Sequence, residues 1–397
     1  MPARRLALVS VLSATVLLLA APASAAPPRW VQRVNGLVGD RPISVAIAVE
    51  GTSLYRNKAW VSRPPASNEK LLLSMALLER VGADATIPTR VFATERVDTD
   101  GVLDGNLWIV GHGDPENGAR DMSALATALE GTGLERVRGR VLGATGPFAR
   151  DWWAPGWRDY FPRVYIALPT ALTHRANERA GGRHVAEPER LAAKALTRKL
   201  EARGIRVTAK PGSGRTPPGL VRLATIRSDP LGQIMRRMNV VSSNFRAEVL
   251  GKLLGAKRYG SPGTIAKGAR AVEAFAAARG VRLTANDASG LSYHNRVSAD
   301  EIVHLLRVAE RATWGDVLRS TLAAGGEGTL EDRLKKVTVR AKTGTLIEVS
   351  ALSGWVWLRR ERAWAAFSIL SSGMSTTTAK QIENKIVRAV AANAALR

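Results

Sequence analysis

Three short polar groups, far apart in the chain, carry the residue types that acyl transfer uses: Ser67-Asn68-Glu69-Lys70, Ser242-Ser243-Asn244 and Lys342-Thr343-Gly344-Thr345. A serine hydroxyl is a poor nucleophile unless a base lies within hydrogen-bond reach. On a helix, residues three apart share a face, so Ser67 and Lys70 would converge. A lysine serves as that base only where burial and nearby positive charge depress its pKa. Lys342 offers a fixed positive charge beside the hydroxyls of Thr343 and Thr345, a set suited to a terminal carboxylate. Gly344 lets a substrate approach the backbone closely. Each group alone has a plainer account: Ser67 as an N-cap before a solvated Lys70, Ser242 and Asn244 as caps between helices, Lys342 to Gly344 as a strand end. Their order and settings together describe a serine acyl-transfer site, in which Ser242 passes a proton to a leaving amine and Asn244 orients an amide and Lys70.

Other chemistries are poorly supplied. There are five histidines, no Gly-x-Ser-x-Gly elbow and no cysteine. Thiol catalysis, thiolate metal sites and disulfides are therefore excluded, and no metal or other cofactor is expected. Asp104, His112 and Asp114 lie close in sequence and read as a turn with a solvated histidine.

The elements that must position these groups follow from the apolar pattern. A short amphipathic helix is expected over 30–38, a buried strand over 43–49, and a hairpin partner at 53–55 after the turn at Gly51. Residues 67–81 read as a helix that is apolar nearly all round, hence a core helix. The start of that helix supplies free backbone N–H groups, so the Ser67 amide and the Thr345 amide are candidates to hold an oxyanion. From 89 to 222 the texture changes to short strands, turns and Trp-rich loops, with one helix over 187–203. Helices return over 231–238, 244–254, 264–279, 298–310 and 313–320. Strands follow over 337–341, over 346–359 with an interruption at Ala351-Leu352-Ser353-Gly354, and over 363–371, before a final helix over 376–394. A sheet sandwiched by helices is the expected architecture.

The chain begins with Arg4 and Arg5, an apolar run of about 15 residues, and Ala23-Ser24-Ala25, the pattern of a secretory signal peptide cleaved after Ala25. The run falls short of the ~20 residues of a membrane-spanning helix. Loss of the leader takes the formal charge from +24 to +22. Such a surface seeks polyanions, and for an exported protein these are anionic envelope polymers rather than nucleic acid, for which no module is readable. A high-Arg composition inherited from the source genome accounts for the charge equally well. The expected organisation is a signal peptide at 1–25, a first part of the catalytic domain at 26–88, an inserted accessory domain at 89–222, and the second part at 223–397.

More of the chain than the three groups resembles the D-alanyl-D-alanine carboxypeptidase/endopeptidase branch of the low-molecular-mass class C penicillin-binding proteins. Pro65-Ala66-Ser67-Asn68-Glu69-Lys70 resembles its nucleophile signature, Gly111-His112-Gly113-Asp114-Pro115 its Gly-Gly-Gly-Asp-Pro loop, and Asp287-Ala288-Ser289-Gly290-Leu291-Ser292 with Asn295-Arg296 its Asp-x-Ser-Gly-Leu-Ser…Asn-Arg segment. Gly328-Thr329-Leu330 and Arg333, ahead of Lys342-Thr343-Gly344-Thr345-Leu346, also match.

The resemblance implies an α/β penicillin-binding, transpeptidase-like fold of the β-lactamase type: an antiparallel sheet flanked by helices, with a mostly-β insertion. It implies a Ser67 acyl-enzyme formed on peptidoglycan peptides ending in D-Ala-D-Ala, acylation by β-lactams, and no cofactor. Ser67, Lys70, Ser242, Asn244 and Lys342 would be catalytic, and Thr343, Gly344 and Thr345 substrate-binding. Oligomeric state is not readable.

Three departures stand out. Ser243 replaces the usual Asp, Glu69 sits beside Lys70 and is expected to face away from it, and the stretch between Lys70 and Ser242 is short, as if an accessory piece were cut down near 177–188. The alternatives are a catalytically weak peptidoglycan binder that keeps the fold, and a β-lactamase.

Overall fold

The structure, a computed structural model, describes residues 27–393. The expected signal peptide lies outside the described residues. The central sheet has six antiparallel strands in the order Ala323–Ala324, Val339–Leu346, Val349–Leu358, Ala363–Ser372, Ile43–Val49 and Thr52–Asn57. The early strand Ile43–Val49 pairs with the late strand Ala363–Ser372, Ile43 opposite Ser371 and Val49 opposite Ala365. Every residue of Ile43–Val49 is buried, which is why it reads as an unbroken apolar run.

Side chains alternate across the sheet and feed two cores. On Ala363–Ser372, Ala366 and Leu370 join one core with the helices Glu69–Arg80, Leu231–Val241, Asn244–Tyr259, Ile265–Ala277 and Ala299–Arg311. Ala365, Phe367 and Ile369 join the other, covered by Arg29–Val38 and Thr376–Asn393. The expected sandwich is present. The expected interruption at 351–354 is not: the chain reverses at Ile347-Glu348, and Val349–Leu358 runs continuously. The small residues there answer to packing, since a Cβ on Gly354 would stand 2.2 Å from the Arg340 carbonyl oxygen.

Between these parts, Pro88–Ala93 carries the chain out and Val221–Arg227 returns as its antiparallel neighbour. They open a five-stranded sheet that continues with Leu107–Gly111, Val141–Ala144 and Gly212–Gly214, the last two added in parallel. Helices Ala119–Glu130 and Pro188–Glu201 pack against it. The first was not expected, although Met122, Leu125, Ala126 and Leu129 have helical spacing and are all buried. This region is therefore a mixture of helix and sheet rather than the mostly-β insertion with a single helix that was expected. Near 177–188 the chain makes a short turn closed by a bridge between Glu178 and His184.

The middle of the segment does not stay with its own sheet. Phe148, Ala167 and Ala171 enter the main helical core, while Trp157, Phe161 and Ile166 form a small cluster with Ile265 and Leu291. Fully buried Lys252 fastens this stretch from the helix Asn244–Tyr259. Its Nζ donates to the carbonyls of Ala149, Asp151 and Pro169 at 2.9–3.0 Å and pairs with Asp151 Oδ1 at 2.7 Å. A buried ammonium persists only when its protons are all used in this way.

Candidate active site

Ser67 lies on a short 3₁₀ turn, Ala66–Asn68, that runs directly into the helix Glu69–Arg80. That helix is buried from Glu69 to Leu78, so Lys70 is forced into the interior by the apolar residues around it. Lys70 Nζ stands 3.0 Å from Ser67 Oγ and 2.9 Å from Asn244 Oδ1, and it donates to the Ser289 carbonyl oxygen. Burial pulls its pKa down to about 8, against the opposing pull of Asp287, Glu248 and Glu69. A neutral amine has two N–H donors and one lone pair. Asn244 Oδ1 and the Ser289 carbonyl can only accept, so they take the two donors and leave the lone pair facing the Ser67 hydroxyl.

The Ser242 group divides its work in a way the sequence did not resolve. Ser242 adopts a left-handed conformation (φ 59°) that ends the helix Leu231–Val241. Ser243 is the N-cap of the next helix, its Oγ accepting from the Arg246 amide at 3.3 Å. Capping thus falls to Ser243 and frees Ser242, whose Oγ accepts from Lys342 Nζ at 2.9 Å. Asn244 starts the second helix, accepting from Lys70 on one side and donating through Nδ2 to the Tyr165 carbonyl at 3.2 Å.

Lys342, Thr343, Gly344 and Thr345 belong to the strand Val339–Leu346, which extends past the expected limit at 341. Lys342 is fully buried, and burial together with the charge of Lys70 lowers its pKa well below the usual lysine range. Thr343 Oγ1 donates to Thr329 Oγ1 at 2.8 Å. A Cβ on Gly344 would meet the Pro65 carbonyl oxygen at 2.7 Å and Asn68 Nδ2 at 3.0 Å, so its bareness admits the nucleophile turn. Asn68 Nδ2 also donates to the Lys342 carbonyl at 3.2 Å, tying turn to strand. Among the described residues only Ala323–Ala324 pairs on the outer side of this strand, opposite Ala341 and Arg340, so residues 342–346 lie along an open sheet edge.

A buried acidic layer under the serine was missed in the sequence. Asp287 accepts from Trp157 Nε1, Ser289 Oγ, the Gly290 and Ser292 amides and Asn295 Nδ2. It thereby shapes the loop whose Ser289 carbonyl holds Lys70. Gly290 in that loop has φ 79°, and a Cβ on it would stand 1.9 Å from the Ala66 carbonyl oxygen. Glu248 Oε1 accepts from the Ala288 and Ser289 amides at 2.9 and 2.7 Å; burial and Asp287 nevertheless push its pKa up to about 8. Glu69 makes no hydrogen bond to Lys70 and is 1% exposed, its Oε1 unpartnered. Burial first, then Asp287, Glu248 and Glu273, holds its pKa well above the carboxylate range. Its carboxyl therefore lies in the core, close enough to Asp287, Glu248 and Glu273 to feel their charges. The Asp287-Ala288-Ser289-Gly290 motif was the available signal for this layer.

Ser67, Ser242, Asn244 and Thr345 border a cleft of about 650 Å³ walled by Tyr160, Tyr165 and Tyr293. A smaller lobe of about 340 Å³ is lined by Ser67, Ser242, Thr343, Thr345, Arg333 and Lys380. Arg333 is paired with Glu383, and Lys380 adds a further cation. His112, Asp104 and Asp114 do not form a site. His112 is half-buried against Arg90 rather than solvated, Asp104 pairs with Arg138, and Asp114 receives the Glu116 amide.

A buried lysine beside a serine at the head of a core helix, set against an antiparallel sheet with helices on both faces, defines the penicillin-binding, transpeptidase-like class. The chain belongs to the D-Ala-D-Ala carboxypeptidase 3 (S13) family, whose model it matches over residues 40–178 and 164–393. It is 28% identical to a D-alanyl-D-alanine carboxypeptidase of Actinomadura sp. (strain R39), over 87% of this chain and 80% of that one. It is likewise 28% identical to the carboxypeptidase DacB of Mycolicibacterium smegmatis, over 86% and 78%. Its fold is similar to the crystal structure of penicillin binding protein 4 (dacB) from Haemophilus influenzae, with a TM-score of 0.79 at 20% identity over 90% of this chain and 99% of that one. The same protein complexed with a β-lactam matches with a TM-score of 0.72 at 20% identity over 90% and 98%. Among the described residues no helix is long and apolar enough to cross a membrane.

Proposed function

We propose that this protein is an exported serine carboxypeptidase that removes the terminal D-Ala from peptidoglycan peptides ending in D-Ala-D-Ala, through an acyl-enzyme on Ser67. The observation that carries the reading is the setting of Lys70, whose two fixed acceptors turn its lone pair toward the serine. Lys70 takes the Ser67 proton as Oγ bonds the penultimate carbonyl carbon. The Ser67 and Thr345 amides hold the oxyanion, a contribution of several kcal/mol in sites of this kind. As the C–N bond breaks, the proton passes through Ser242, held by Lys342, to the departing amine. Water then hydrolyses the ester, with Lys70 again accepting the proton. The substrate lies along the open edge at 342–346, with its terminal carboxylate in the lobe of Thr343, Thr345 and Lys380.

That cationic lobe supports a reading with carboxypeptidase activity ahead of cross-link cleavage, because a free carboxylate compensates its charge and an amide does not. β-Lactams enter the same path. Their ring C–N bond opens on Ser67 but the amine stays tethered, so the ester persists. The stretch 89–222 acts as an accessory region around this site, and the cationic surface holds the protein to anionic envelope polymers. Intact-mass measurement of the protein before and after benzylpenicillin tests the core of this: one drug mass should be added, and none to Ser67→Ala. No adduct and no drug turnover would make it a binding protein, and steady turnover a β-lactamase.

A further inference from the structure

A second cavity, of about 530 Å³, lies between the first strand of the 89–222 segment and the main body. Three helices connect it to the serine site. Glu69–Arg80 carries Lys70 at its start and Arg80 at its end; Asn244–Tyr259 carries Asn244 and, about 20 Å on, Lys257; Leu231–Val241 starts at the cavity and stops at Ser242. The floor is apolar, with Ile87, Phe148, Leu231 and Leu253 all buried. The rim is cationic, with Arg80, Arg90 and Lys257, and no Asp or Glu is among the described lining residues.

Basic side chains at helix C-termini need no ligand to explain them, which covers Arg80 and Lys257. Arg90 is not covered. It lies on the strand Pro88–Ala93, with Nη1 3.0 Å from His112 Nε2 and a buried Nε that has no hydrogen-bond partner among the described residues. Burial and the charges of Arg90 and Lys257 favour the neutral imidazole, so His112 offers no counter-charge. Among the described residues no carboxylate pairs with Arg80, Arg90 or Lys257. Uncompensated cations around an apolar floor are complementary to an anion with an apolar body.

We propose that this cavity binds an amphiphile with a single acidic head, carboxylate or phosphate monoester, and that occupancy alters Ser67 reactivity through the three helices. The head sits between Arg90 and Lys257 and the chain lies on Phe148 and Leu253. Because each helix has a site residue at one end and a cavity residue at the other, a shift at the rim displaces Lys70, Asn244 or Ser242.

Calorimetric titration of the mature protein with dodecanoate, dodecyl phosphate and uncharged dodecyl maltoside tests the site. Both anions should bind one to one, the tighter identifying the head, and the maltoside should not bind. Arg90→Gln and Lys257→Gln, checked for unchanged melting, should each weaken anion binding at least about tenfold. Saturating dodecanoate should change the benzylpenicillin acylation rate at least twofold in the parent and not in the variants. Absence of saturable binding, equal binding by the variants, or equal binding of the maltoside would overturn the site. Binding with an unchanged acylation rate would overturn the coupling. Failure of acylation without any amphiphile would count against the peptidase reading and leave the isotherms to judge the cavity.

Discussion

Replacing Asn244 with Asp should cripple acylation near neutral pH and restore much of it at high pH, because it puts a carboxylate where an amide oxygen now lies 2.9 Å from Lys70 Nζ. With its pKa lowered from 10.5 to about 8, Lys70 is about one-eleventh neutral at pH 7, against about one part in 3,000 for an ordinary lysine, a gain of roughly 300-fold in active base. The acylation rate of the parent should therefore climb about tenfold per pH unit and level off near pH 8. A carboxylate this close raises a lysine pKa by about 1–3. The neutral fraction at pH 7 then falls about 10- to 1,000-fold, and the midpoint of the profile moves up by the same 1–3.

The assay is stopped-flow acylation by a chromogenic β-lactam from about pH 6 to about pH 10, with Asn244→Ala beside it. Asn244→Ala also loses the bond to the Tyr165 carbonyl but adds no charge, so its rate should drop without an upward shift of midpoint. The reasoning fails if the parent profile is flat between about pH 6 and about pH 8, or if Asn244→Asp loses the same factor at every pH.

Three further outcomes follow from the same geometry. Glu69 keeps its proton in the folded state where the unfolded chain loses it, so its contribution is full below the ordinary value of 4.5 and is lost as pH rises, by at most about 1.4 kcal/mol per unit. Glu69→Gln should then match the parent in urea unfolding near pH 4.5 and exceed it as the pH rises above that value; a constant difference would mean that Glu69 is ionised. Gly344→Ala should slow acylation at least about tenfold with the fold kept, by pressing on Pro65 and Asn68, and Gly290→Ala should do worse because its positive φ adds backbone strain. A crystal structure of Gly344→Ala with an unmoved Ser67 turn would contradict this. Lys252→Met should cost about 3–5 kcal/mol in denaturant unfolding, since Asp151 and three carbonyls lose their cation; a loss under about 1 kcal/mol would show that the 149–169 stretch is held by other contacts.

The amino-acid sequence by itself determined the parts of this protein whose causes are local. Ser67 and Lys70 meet because residues three apart share a helical face, and the apolar residues after them announce a buried helix. The long strands of the central sheet and most helices were readable for the same reason, the strands as unbroken apolar runs and the helices as runs with a period of 3.6. The Ala119–Glu130 helix was missed amid the short strands around it, and the continuous strand Val349–Leu358 was broken in the reading by small residues that in fact admit a neighbouring backbone.

Only the tertiary structure decided what surrounds these residues. That Asn244 and the Ser289 carbonyl fix the direction of the Lys70 lone pair depends on contacts spanning most of the chain. Glu69 was legible as a neighbour in sequence, but its burial among Asp287, Glu248 and Glu273 was not. Gly344 was legible as a glycine on a strand, but the Pro65 carbonyl that its bareness admits was not. Local spacing sets which side chains can meet on one element; desolvation and close approach are sums over elements brought together by folding, and they set the chemistry.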